Sequence, residues 1–333
     1  MGVGCYAGKR RENAVAQALM LAWRLREDKV SHAITLHDLA NAFGSRCHGA
    51  LDAANERSQP HDVKLLNDRH RTAVYSIEAA DRTIDIRAGE GAMAGDRVAP
   101  MLFNEVYSEA MDEWTGLEDP GLLQGQCPIT GHAVRVDLLV YVDDTLRMHL
   151  IDDAADLQQK LSISNKNLDD VLEKRTMKQH RSKQEVLPCV VGNNAHRETK
   201  KVFVQKGQEK PAIEIEGKVC KDARYLGSRL QANASAAIEV QLRLGAMDKA
   251  WRAMGGYWSS KAPRKVKVLL FDAFVHSAGL SGFEAFVLTS GQCKEIDTAV
   301  LKMARRILGE KASGRRWARR QSMQQRPTSR STR

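Results

Sequence analysis

Cysteine is sparse and scattered: six in 333 residues (Cys5, Cys47, Cys127, Cys189, Cys220, Cys293), with no C-x-x-C pair among them. That excludes a zinc framework and a disulfide scaffold, and makes a reducing compartment the default. No uninterrupted apolar run approaches the ~20 residues of a bilayer span, so no membrane partner is expected. Lys9-Arg10-Arg11 followed by residues 14–23 has the outline of a signal peptide, but Gln17 interrupts the run and Arg24 and Arg26 end it. No small-residue cleavage site follows. The protein is therefore expected inside the cell, in nucleus or cytoplasm, and not secreted. There is no internal repeat. A hydrophobic content of 43% supplies a core for one large domain or two modest ones, and excludes collagen-like and wholly disordered classes.

The formal charge of +10 is unevenly placed. From Gly309 to Arg333 eight basic residues face only Glu310, so this stretch holds +7 and the other 308 residues hold +3. Residues 310–333, rich in Arg, Gln and Ser, read as a disordered basic tail that attracts polyanions. Net charge says little about the rest.

Periodicity organises the remainder. Asn13 reads as a cap for an amphipathic helix with Val15, Leu19, Ala22 and Trp23 on one face. Residues 33–38 alternate as a strand, with Ile34, Leu36 and Asp38 on one face. Helical spacing covers 42–55, is broken at 58–60, and resumes over 63–70. Residues 72–77 and 83–87 form a hairpin pattern. A loop with Gly89, Gly91 and Gly95 precedes a helix over 98–114, with Pro100 tolerated in its first turn. Residues 134–151 read as a second hairpin with Tyr141-Val142-Asp143-Asp144 at its turn, and Leu146, Met148 and Leu150 alternate with Arg147 and His149. A helical region over 152–181 is expected to break near 162–165. Short β-like pieces follow at 185–191, 201–205 and 213–219, and the chain is helical beyond about 230. The fold class is α+β followed by an all-α region.

The chemistry-bearing feature is Asp38 at the end of one strand with Asp143 and Asp144 in a hairpin turn. Carboxylates on adjacent strands form the oxygen-rich set that Mg²⁺ prefers, with waters and phosphates completing its shell. Two such ions ~3.5–4 Å apart activate a hydroxyl and stabilise a leaving pyrophosphate. By itself an Asp-Asp turn has a plainer explanation, because Asp favours turn conformations.

Three motifs occur in a fixed order: Asp38-Leu39-Ala40-Asn41-Ala42-Phe43, then the segment from Gly91-Ala92-Met93-Ala94-Gly95-Asp96 to Pro100-Met101-Leu102-Phe103-Asn104, then Tyr141-Val142-Asp143-Asp144. Together they resemble reverse transcriptases, RNA-directed DNA polymerases, of the non-LTR retrotransposon type. Gly4-Cys5-Tyr6-Ala7-Gly8-Lys9 resembles part of that family's fingers, His180 to Glu185 its N-x-x-K-T-E segment, and Tyr225-Leu226-Gly227 its hairpin before the thumb. Ala94, Met93, His37 and Tyr6 depart from the family pattern. The resemblance implies a partial fingers segment at 1–30, a palm at 31–230 built as an antiparallel sheet with helices on one face, and a helical thumb-like region at 231–309. It also suggests a truncated or decayed copy, because the likeness begins inside the fingers.

What the resemblance implies is specific. Asp38, Asp143 and Asp144 would hold two Mg²⁺ ions, with Mn²⁺ as a substitute. Lys183 would approach the phosphates as a neutralising or proton-donating group. Leu39, Phe43, Gly95 and Lys9 would contact the nucleotide, Phe43 by excluding a 2′-hydroxyl through a steric clash. The partners would be an RNA template, a DNA primer and deoxynucleoside triphosphates. Two other readings stay open: a catalytically inactive remnant that only binds nucleic acid, using Lys174 to Lys183 and the basic tail, and a metal phosphodiesterase using the same aspartates.

Overall fold

In a computed structural model the chain is described for residues 10–40, 48–79, 82–87, 89, 99–118, 123–127 and 129–308. It divides into two compact units, 1–235 and 236–333. The first opens with α1 (Arg11–Glu27), whose N-cap is Arg10 without a side-chain capping bond. Asn13 therefore lies inside the first turn instead of capping it. The helix buries Ala14, Val15, Ala18, Leu19, Ala22 and Leu25, whereas Trp23, expected on that face, is exposed.

Strand β1 (His32–His37) follows, and all six of its residues are buried. Next come α2 (His48–Ser58), α3 (Val63–Arg71) and the hairpin of β2 (Val74–Ala79) with β3 (Arg82–Arg87). Helix α4 (Ala99–Gly116) buries Leu102, Phe103, Val106, Tyr107, Ala110, Met111 and Trp114, the repeat of three and four expected of a core-facing helix. A short ribbon joins β4 (Gln124–Gln126) to β5 (Ala133–Arg135). Then β6 (Leu138–Tyr141) and β7 (Asp144–Leu150) form a hairpin whose last pair is Tyr141 with Asp144.

Helix α5 (Ala154–Glu173) is capped by the Asp153 carboxylate, which accepts from the main-chain N–H groups of Ala155 and Asp156, each at 2.9 Å. It runs unbroken through Ser164 and Asn165. Both are buried and bonded across the fold: the Ser164 carbonyl accepts from Trp114 Nε1, and Asn165 Nδ2 donates to Glu216. Tertiary partners here override a local pattern that looked like a break.

Strand β8 (Glu185–Cys189) is followed by α6 (Ala195–Val202), and the β-like piece expected at 201–205 forms no strand: its first two residues end α6 and the rest is irregular. Of the segment 213–219 only β9 (Lys218–Val219) is a strand. The unit closes on a hairpin of β10 (Ala223–Tyr225) and β11 (Ser228–Leu230), whose two turn residues Leu226 and Gly227 both have positive φ, as a type I′ turn requires.

The main sheet has the order β6-β7-β1-β8-β9. Its pairs are antiparallel except that β9 runs parallel to β8, so the sheet is mixed where an antiparallel one was expected. One face carries Thr35, His37, Thr145 and Arg147 toward α4: Tyr107 Oη lies 2.7 Å from Thr145 Oγ1, and Trp114 packs edge-on to His37. Ala33 and Val186 pack with Leu157 and Leu161 of α5.

The second unit contains α7 (Ala237–Ala253), α8 (Arg264–Leu270), a π-turn over Phe271–His276, α9 (Ser277–Leu280) and α10 (Ser290–Leu308). Its core gathers Met247, Trp251, Trp258, Phe271, Val275, Met303 and Ile307, with Trp251 and Trp258 stacked at 4.5 Å. By length and composition the helical run Arg264–Ala285 is long and apolar enough to cross a membrane, although charged residues interrupt it in sequence. Its residues Lys267, Phe271, Val275 and Gly279 are buried at four-residue intervals, and Lys267 Nζ donates to the carbonyls of Trp258 and Ser260. As far as Leu280 only that stripe is buried, and Val266, Val268, Leu269 and Phe274 are exposed.

Candidate active site

Two strand ends meet where β1 leaves the sheet. The register of β1 on β7 ends with His37 opposite Thr145. Asp38 follows directly, just past the end of β1, and Asp144 opens β7 one position before Thr145. Asp143 is the second residue of the two-residue turn before Asp144. The first, Val142, has φ 59°, a region that a β-branched residue occupies only under strain.

A second backbone contact brings a cation to the same place. The Asp38 carbonyl accepts from His180 N–H at 2.8 Å, and Ala40 N–H donates to the Lys178 carbonyl. The 3₁₀ turn Arg181–Lys183 starts directly after that bond, and it places Lys183 Nζ 2.8 Å from Asp38 Oδ2. By distance this is an ion pair; it lacks hydrogen-bond geometry, and Asp38 Oδ2 has no hydrogen-bond donor.

The electrostatics tie the three aspartates together. Burial, then the negative charges of Asp143 and Asp38, push the Asp144 carboxyl up to about 6. The hydroxyl of Tyr107 is raised by burial, and further by Asp143, Asp144 and Asp38. Tyr225, on β10, is raised by burial and by Asp144, and its Oη is buried without a partner. Neither tyrosine stood out from the sequence as a site residue. The 225–227 motif marked the hairpin, but nothing local shows that β10 brings its tyrosine into the field of Asp144.

Hard carboxylate oxygens are the right donor chemistry for Mg²⁺, and an Asp38 oxygen without a hydrogen-bond donor suits a cation. Among the described residues, however, no group of three or more His, Cys, Asp or Glu side chains is arranged to hold a metal ion. Leu39 makes a main-chain bridge to Gln179, and its side chain belongs to the core with α4, so only its main chain is available to a ligand. Lys9, Phe43 and Gly95 lie outside the described residues, as does the tail over 310–333.

Away from the turn, the same sheet buries charge. Arg147 Nη2 lies 3.1 Å from Glu118 and 3.3 Å from Asp137, and its guanidinium sits 4.2 Å over the Trp114 ring. His37 is held down to about 4, mainly by burial, and His149 is lowered for the same reason.

No family model and no curated protein matches the chain. Among solved structures it is similar to apo telomerase from Candida tropicalis, with 8% identity and a TM-score of 0.45, over 92% of this chain and 51% of that one. It is also similar to Candida albicans telomerase in complex with a fragment of telomeric RNA, with 9% identity and a TM-score of 0.41, over 98% of this chain and 54% of that one. The chain thus spans about half the length of those proteins. Likeness this distant does not establish a function.

Proposed function

We propose that the chain is the palm and helical C-terminal part of an RNA-directed DNA polymerase of the non-LTR retrotransposon type. It would extend the 3′-hydroxyl of a DNA primer with deoxynucleoside triphosphates on an RNA template. The observation that supports this reading is that Asp38, just past the end of β1, and the Asp143–Asp144 turn lie at the same end of two paired strands, where Asp143 and Asp38 both raise the Asp144 carboxyl. Those three carboxylates would hold two Mg²⁺ ions, which supply activation of the attacking hydroxyl and neutralise charge on the leaving group.

The remaining roles belong to the chain itself. Lys183 presents its ammonium beside Asp38, where it can neutralise triphosphate oxygens and deliver a proton to departing pyrophosphate. Tyr225, whose buried hydroxyl has no partner, feels the charge of Asp144. Phe43 would reject ribonucleotides, and Gly95 and Lys9 would border the nucleotide. Such phosphoryl transfer depends on positioning and electrostatics more than on covalent chemistry.

A specific observation favours a second reading, a remnant that binds nucleic acid without catalysis: the Lys183 ammonium stands on the Asp38 oxygen that a metal would need. Primer extension on an RNA template with Mg²⁺, compared between wild type and Asp143→Asn, separates the two. Extension by the wild type alone supports the polymerase. Equal signals remove it, and equal RNA binding without extension establishes the remnant. Cleavage without templated extension would point to a phosphodiesterase.

A further inference from the structure

A cavity of about 740 Å³ opens at the opposite end of β1 from the aspartates. Its apolar lining includes Cys189, the β8 partner of His32, and Phe203, which follows α6. Its walls are cationic: Arg26 from the last turn of α1, His196 and Lys200 from α6, and Lys221 between β9 and β10. Among the described residues, no Asp or Glu lines it.

The charges here are poorly compensated. Arg26 donates to the Asn233 carbonyl at 2.9 Å and has Glu27 at 3.7 Å. Lys200 and Lys221 have no ion-pair partner among the described residues, although Lys201 next to Lys200 is paired with Glu198. Gln231, in the same wall, has a buried Oε1 with no donor. Lining cations, apolar lining residues and an orphaned acceptor each ask something different of an occupant. The cations require an anion, and two without partners beside Arg26 suit a dianion better than a carboxylate. The apolar lining requires an apolar or aromatic body, and Gln231 requires a hydroxyl or N–H. The volume falls within the range of small-molecule sites.

We propose that this cavity binds an organic phosphate monoester with an apolar or aromatic body and a hydroxyl or N–H donor, of nucleoside-monophosphate size. A phosphate monoester carries about −1.5 to −2 charge at neutral pH, which matches the wall. The concave shape and apolar lining favour a small molecule over a polynucleotide backbone, which a stripe of cations would serve. The site does not depend on the polymerase reading, because six residues of β1, roughly 20 Å, separate it from Asp38.

Cys189 provides a local readout. The full chain in EDTA is alkylated with iodoacetamide, and modification of each cysteine is followed by peptide mass spectrometry. Adenosine 5′-monophosphate should slow Cys189 alkylation saturably, while exposed Cys293 keeps its rate. Adenosine should protect far less. The double variant Lys200→Glu/Lys221→Glu, at two exposed side chains, should raise the half-protecting concentration at least about tenfold. The milder Lys200→Gln should raise it less, at an unchanged circular dichroism spectrum. Absence of saturable protection, equal protection by adenosine, equal protection in the double variant, or protection by oligouridylate alone would each overturn the proposal.

Discussion

Lys183 and Asp38 are joined twice: side chain to side chain at 2.8 Å, and through the bond from His180 N–H to the Asp38 carbonyl from which the Lys183 turn starts. The lysine side chain is 60% exposed, and exposed ion pairs stabilise a fold by about 1 kcal/mol at most. Its value lies in where it holds a positive charge. Lys183→Met should change folding stability by less than about 1 kcal/mol and reduce primer extension roughly 10²-fold or more. The variant should also respond to Mg²⁺ at lower concentration in thermal melts, because the competing ammonium is gone. A loss of several kcal/mol would identify the contact as structural.

Asp144 makes folding acid-favoured in a defined window. Its folded value of about 6 lies above its ordinary 3.8, so between the two the folded chain keeps a proton that the unfolded chain releases. Stability from this group is present below about 4 and is lost as pH rises toward 6. His37, held to about 4 from 6.5, acts with the opposite sign and weakens the fold as pH falls through that window. The two offset each other in the wild type. In EDTA, Asp144→Asn should raise the melting temperature at pH 7 by about 2–5 °C and make the decline below pH 6.5 steeper. An unchanged pH profile would separate Asp144 from the other two aspartates.

Arg147 sits between Glu118 and Asp137 beneath Trp114 with almost no exposure. Arg147→Ala should destabilise the chain by about 3–5 kcal/mol, because it strands buried carboxylate charge. Arg147→Lys should recover little, since a point charge cannot reach both carboxylates and stack on the ring. Urea unfolding followed by circular dichroism reads both.

In the second unit, a Cβ on Gly279 would lie 3.2 Å from Met247 Cβ and 3.3 Å from its Cγ. Gly279→Ala should cost about 1–3 kcal/mol through overpacking, and adding Met247→Ala should recover part of that. The fluorescence of stacked Trp251 and Trp258, in the same core, reports the change.

Local pattern made the central features legible. The strand before Asp38, the apolar repeat of α4 and the turn over 141–144 depend on neighbours in sequence, and the structure contains each of them; the alternation of Ile34 and Leu36 does not show as burial, because β1 is buried on both faces and ends at His37. Failures cluster where distant partners decide. Ser164 and Asn165 look like helix breakers until Trp114 and Glu216 engage them. Arg147 and His149 alternate as though they faced solvent, yet β7 neighbours the central strand and α4 covers that face. The parallel pairing of β9 is two residues long, too short to leave a pattern. Tyr225 belongs with Asp144 only because a hairpin eighty residues later returns to the same place.

Val142 gives the aspartate turn one more property. A glycine there would accept φ 59° without cost, and would accept many other shapes as well. Valine holds this one against its own steric preference, at a cost that the flanking β6–β7 pairing must offset. The unfolded chain seldom visits such a shape, so the turn is imposed by the completed hairpin and disappears with it. Asp143 and Asp144 are therefore aimed by sheet pairing before any ligand arrives, and a ligand there has no loop to order. Val142→Gly would relieve the backbone but free the two carboxylates to wander, exchanging aim for ease.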